Sequence, residues 1–88
     1  MTTPKRSQRV RGYDQIVAAT VMGAQPITPA VELGRFCVER NVPVESVAAR
    51  LGVSRQTVYS WFTGARTPRP KRLIDVIELL AVLRSESA

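Results

Sequence analysis

Histidine is missing from this 88-residue chain, and cysteine occurs once, at Cys37. Without histidine the commonest general base is gone, so a serine or cysteine nucleophile has no ordinary partner to activate it. A zinc site would lack its usual Cys/His ligand set, and a lone cysteine cannot close an internal disulfide. No catalytic residue, no metal and no cofactor is therefore expected. Carboxylates are also few. Asp14, Glu32, Glu39, Glu45, Asp75, Glu78 and Glu86 are scattered, and Asp75 with Glu78 reads as the polar side of one helix, not as an acid/base pair. There is no glycine-rich phosphate loop. No apolar run approaches the roughly 18 residues that a membrane span requires, and the basic N-terminus lacks the long apolar segment of a secretory signal. The expectation is one small domain in the cytosol with a single core and no membrane partner.

What is present is positive charge, and it is unevenly placed. Thirteen Lys and Arg against seven Asp and Glu leave a net +6. Residues 1–12 carry Lys5, Arg6, Arg9 and Arg11 with no acid, and residues 50–72 carry Arg50, Arg55, Arg66, Arg69, Lys71 and Arg72 with no acid. The segment between them is acidic by comparison. Charge alone indicates only a polyanion or an anionic surface as partner.

The segment from Val44 to Thr63, VESVAARLGVSRQTVYSWFT, narrows that choice. Val47, Ala48 and Leu51 make a narrow apolar stripe at helical spacing. Gly52 stands where a residue at positive φ ends a helix, Val53 plugs the turn, and Ser54 is a suitable N-cap for a second helix starting at Arg55. Val58, Trp61 and Phe62 are the inward positions of that helix. Trp61 and Phe62 therefore read as core, not as base-stacking aromatics. Arg55, Gln56, Tyr59 and Ser60 are left pointing outward.

These residues resemble the helix-turn-helix of the phage repressor and Cro family, also called the xenobiotic-response-element family. The match consists of Ala48, Gly52, Val53, Val58 and Trp61, followed by Gly64 and Pro68 in a WFTGARTP segment. With the flanking helices it covers roughly Pro29 to Leu83. One position departs from the pattern: many family members open the first helix of the motif with a glutamine that touches phosphate and braces the reading side chain, and here Val44 stands there. The resemblance implies an all-α, compact four- to five-helix bundle of lambda-repressor type. It also implies a double-stranded DNA partner, with a recognition helix over residues 55–63 in the major groove.

The start of a recognition helix is the end that enters the groove. Arginine there suits guanine O6/N7 and glutamine suits adenine N6/N7, so Arg55 and Gln56 are the expected base readers, with Ser60 one turn further on. Tyr59 and Ser54 are candidate DNA contacts. Thr63, Arg66, Arg69, Lys71 and Arg72 flank the far end of the helix and the start of the next, where hydroxyls, cations and free N–H groups hold phosphates. Lys5, Arg6, Arg9 and Arg11 form a basic arm suited to the backbone or a minor groove, or to solubility alone.

The rest of the chain frames the motif. Residues 1–12 read as a disordered arm, and 13–28 as an extension made of a helix and a loop. Tyr13–Met22 favours helix, with Tyr13, Ile16, Val17 and Val21 inward, although its β-branched residues also suit a strand. Thr28 caps a helix over Pro29–Arg40 that buries Val31, Leu33, Phe36 and Cys37, and Asn41 ends it. The helix-turn-helix domain spans 29–84. Its last helix, from about Pro70 to Arg84, has a stripe of Leu73, Val76, Ile77, Leu80 and Leu83. Ile74, Leu79, Ala81 and Val82 make it apolar nearly all round, so either Tyr13–Met22 or a second subunit is expected to cover it. Leu79, Val82 and Leu83 are the candidate dimer interface, and 85–88 reads as a tail.

The leading expectation is a sequence-specific transcriptional regulator of a bacterium or phage, a homodimer on half-sites about one helical turn apart. It would act from the cytosol or nucleoid by blocking or aiding RNA polymerase. A second reading is a marker of DNA sites for packaging, recombination or replication. A third uses the helix-turn-helix only as a scaffold for protein interaction, as in an antitoxin or a polymerase-binding inhibitor.

Overall fold

Asp14 decides the character of the first element. Its carboxylate accepts from the backbone N–H groups of Ile16 at 2.8 Å and Val17 at 3.3 Å, closing the start of helix α1, Gln15–Gly23. The β-branched segment is thus a helix, anchored inward by the fully buried Val21, whereas Ile16, expected inward, is 76% exposed. The computed structural model describes residues 13–87, and among these there is no strand.

Helix α2, Pro29–Arg40, begins as its sequence dictates. The Thr28 hydroxyl accepts from the Val31 N–H, and Pro29 sits in the first turn, where a missing backbone donor costs nothing. Asn41, at φ 55°, reverses the chain, and the Val42 N–H returns to the Cys37 carbonyl. Its buried residues are Ala30, Val31, Leu33, Gly34 and Cys37. Phe36 is only half-buried, with the Arg40 guanidinium 5.4 Å from its ring centroid.

Helices α3, Val44–Leu51, and α4, Arg55–Phe62, form the helix-turn-helix. Gly52 has φ 70°, where any Cβ would be strained, and the Val53 N–H donates to the Ala48 carbonyl. The Ser54 hydroxyl accepts from the Thr57 N–H at 3.2 Å, supplying one of the free donors at the start of α4. The second helix ends at Phe62, with Thr63 as its cap and Gly64 at φ 83° behind it.

Helix α2 is the hub of the bundle, packed against α1, α4 and the last helix, α5, Pro70–Ser87. Gly34 makes the crossing with α4 close. A Cβ there would stand 2.7 Å from Phe62 Cγ and 3.0 Å from Val21 Cγ1, so both side chains lie over bare backbone. Val47, Val58 and Val76 bring α3, α4 and α5 into the same core. Among the described residues the architecture is the expected all-α bundle, five helices around a helix-turn-helix.

Helix α5 departs from its expected facing. Val76, Leu79, Leu80 and Leu83 are buried, while Ile77, expected inward, is 47% exposed along with Ile74 and Val82. Leu79 and Leu83 are thus covered by this chain's own core and are not free to form an interface; of the three candidate dimer residues only Val82 is exposed. A segment apolar on nearly every side carries no periodic signal to set its rotation, so packing on α2 sets it. The helix also runs on through Ser87, taking in residues expected as a tail.

Candidate nucleic-acid interface

Because Val58, Trp61 and Phe62 face the core, α4 turns Arg55 and Gln56 outward at its N-terminal end, with Ser60 half-buried one turn on. Ser54, Gln56, Thr57, Ser60 and Arg66 line a surface groove of about 300 Å³. The helix and the connector after it therefore share one concave polar surface. The Arg66 N–H donates to the Ser60 carbonyl at 3.0 Å, which holds the connector against the end of α4.

The hydroxyls on this face are partly committed. Ser60 Oγ donates to the Thr57 carbonyl at 2.7 Å, so outward it offers lone pairs and suits a base donor such as an exocyclic amine. Thr63 Oγ1 donates to the Tyr59 carbonyl at 2.9 Å and likewise has no proton left for a phosphate in this arrangement. Ser54 Oγ lies 3.0 Å from Thr57 Oγ1. Thr57 was not among the expected site residues; its place three residues from both Ser54 and Ser60 on a helix was the available signal.

Tyr59 does not project freely. It is half-buried and meets the Tyr13 ring edge-on, with centroids 6.4 Å apart, and burial raises its hydroxyl above the ordinary tyrosine value, with the Glu45 carboxylate adding to the effect. Tyr13 in turn donates to the Val42 carbonyl at 2.6 Å. These contacts fasten the chain just before α1 beside the outward face of α4.

Arg66, Arg69 and Lys71 are exposed along the connector and the start of α5. Arg72 is different. Its Nη1 donates to the Leu51 carbonyl at 2.8 Å, so a residue expected to hold phosphate ties α5 to the end of α3. Lys5, Arg6, Arg9 and Arg11 lie outside the described residues.

Val44 is buried in the core, which accounts chemically for the absent glutamine: the position is used for packing. The polar contact appears one residue later. Glu45 Oε2 pairs with Arg55 Nη1 at 3.1 Å, joining the starts of α3 and α4. The carboxyl of Glu45 is held below its usual range by its own backbone N–H and then by Arg55. No sequence signal links these residues, ten apart on two helices; only the helix crossing does.

The described residues include no cluster of potential metal ligands and no helix long and apolar enough to cross a membrane. A family model described as helix-turn-helix matches residues 34–86, more than half of the chain. The protein belongs to the helix-turn-helix family of Cro and phage-repressor type, a family of DNA-binding regulators. Searches of curated proteins and of solved structures returned no match.

Proposed function

We propose that this protein is a sequence-specific transcriptional regulator that inserts α4 into the major groove of double-stranded DNA. The observation that carries this reading is the polar groove in which Gln56 and Ser60 sit with Arg66, with Arg55 exposed beside Gln56 at the start of α4. Arg55 and Gln56 read bases, Ser60 accepts from a base amine, and Arg66, Arg69 and Lys71 hold phosphates on either side of the groove.

A module this small reads only a few base pairs, so useful discrimination calls for two copies on half-sites about 10 bp apart. The exposed Ile74, Ile77 and Val82 on α5 support such a pairing, in place of the buried leucines. The basic arm immediately precedes Tyr13 in sequence, and the packing of Tyr13 beside Tyr59 supports a role for Lys5, Arg6, Arg9 and Arg11 in contacting the same DNA. Regulation comes from occupancy of an operator in the bacterial cytosol or nucleoid, with RNA polymerase blocked or aided.

Selection of bound duplexes from a random DNA pool, repeated at two salt concentrations, tests this reading. An enriched motif, repeated at a spacing near one helical turn and bound more weakly at high salt, is the expected result. Failure to enrich any motif, together with recovery of a stoichiometric protein partner, favours the scaffold reading instead.

A further inference from the structure

The geometry points to Glu45 as a specificity-determining residue that holds Arg55 on base edges and away from phosphates. This rests on the reading of α4 as a recognition helix. Val44 turns into the core, and one helical step of about 100° swings Glu45 to the outer surface. There its carboxylate takes Arg55 Nη1 at 3.1 Å, with both side chains more than 60% exposed. An acid in the first turn of α3 is favoured by the helix dipole and by its own backbone N–H. An ion pair this open adds little stability, so the pairing with Arg55 is the part stability does not explain.

Its position is the informative part. Residues 50–72 hold six basic side chains and no acid, so the negative charge beside Arg55 has to come from the preceding helix. A protein that only needed to hold DNA would bind better without it, because phosphates repel the carboxylate. A protein that must read a base gains from it. Arginine has five N–H donors in a planar fork; with Nη1 held by Glu45, the Nη2 and Nε edge remains to meet guanine O6 and N7 as a pair. The carboxylate keeps lone pairs beyond those facing Arg55 and its own backbone N–H, and these suit a cytosine amine. Losing Glu45 frees Arg55 to swing to the nearest phosphate, so affinity and discrimination move in opposite directions. A residue with a merely structural role would lower both.

The test uses the full chain, a duplex carrying the selected site, a duplex altered at the base pair assigned to Arg55 by the Arg55→Ala variant, and an unrelated duplex. Glu45→Ala is expected to keep the helical circular dichroism, to tighten binding to the unrelated duplex, and to cut the preference for the selected over the altered site by about threefold or more. In an Arg55→Ala background the same substitution should leave that preference unchanged. The assignment is overturned if Glu45→Ala leaves the preference intact, or lowers it equally with and without Arg55. If the wild-type chain shows selective, salt-sensitive binding and only the Glu45→Ala result fails, the DNA-reading function stands and the role of Glu45 falls. If the wild-type chain binds no duplex selectively, both fall.

Discussion

The Arg72 guanidinium donates to the Leu51 carbonyl at 2.8 Å, joining the first turn of α5 to the last turn of α3. A cation at the C-terminal end of a helix is favourable both as a donor to an unpaired carbonyl and against the helix dipole. The next residue is Gly52, so this bond also steadies the turn from which α4 departs.

Arg72→Met, which keeps the aliphatic stem, is expected to cost about 1 kcal/mol and lower Tm by about 4–8 °C. If Arg72 held a phosphate instead, the variant would reduce the salt dependence of DNA binding by about one counterion. Thermal melts and a salt titration distinguish the two roles, and the expected result is a lower Tm with an unchanged slope.

Gln56→Ala should weaken the preferred site by roughly 1–3 kcal/mol and relax choice at one base pair. Arg66→Ala should weaken all sequences alike and make binding less sensitive to salt. Binding profiles across a panel of single-base variants check this. Equal loss on every duplex for Gln56→Ala would show that α4 lies in a different orientation.

The two faces of α5 give opposite expectations. Leu79→Ala opens a hole in the core and should cost about 2–5 kcal/mol. Ile77→Lys changes a residue already 47% exposed and should leave Tm nearly unchanged while abolishing self-association. Sedimentation at tens of micromolar measures the second effect. A wild-type chain that stays monomeric there, with and without DNA, would remove the α5 interface.

Burial pushes the Cys37 thiol up from 9.0 to about 12, against a small opposing effect of the Tyr13 hydroxyl. The Tyr13 hydroxyl is itself raised well above its ordinary 10.0, again mainly by burial. Both groups lose their protons more readily when the chain is unfolded. The stability they confer is therefore complete below about pH 9 and is lost as pH rises toward 12. Tm should fall between about pH 8 and about pH 10.5, and Cys37→Ala should make that fall shallower. A fall of the same steepness in the variant would assign the alkaline sensitivity elsewhere.

Much of the fold was legible because helix ends are decided within a few residues. Thr28 before Pro29, Asn41 before Pro43, and Gly52 before Ser54 each satisfy or stop a helix through local hydrogen bonds and backbone preference. The outward facing of Arg55 and Gln56 was legible for a related reason, since Val58, Trp61 and Phe62 claim the inner side of the helix. The half-burial of Tyr59 comes from Tyr13, which no helical period reveals. The rotation of α5 was not legible: with Leu73, Ile74, Val76, Ile77, Leu79, Leu80 and Val82 all apolar, spacing does not distinguish the buried leucines from the exposed isoleucines.

The chain by itself determined where the caps start and stop most of the helices, that Arg55 and Gln56 face outward from α4, and where positive charge accumulates, because those are matters of local chemistry and helical period. Only the tertiary structure decided which long-range pairs form. Glu45 meets Arg55, Arg72 meets the Leu51 carbonyl, and Tyr13 meets Tyr59 because the helices cross around one shared core, in which Phe62 and Val21 close over Gly34. Those contacts depend on distances between elements, and close packing of the shared core fixes such distances.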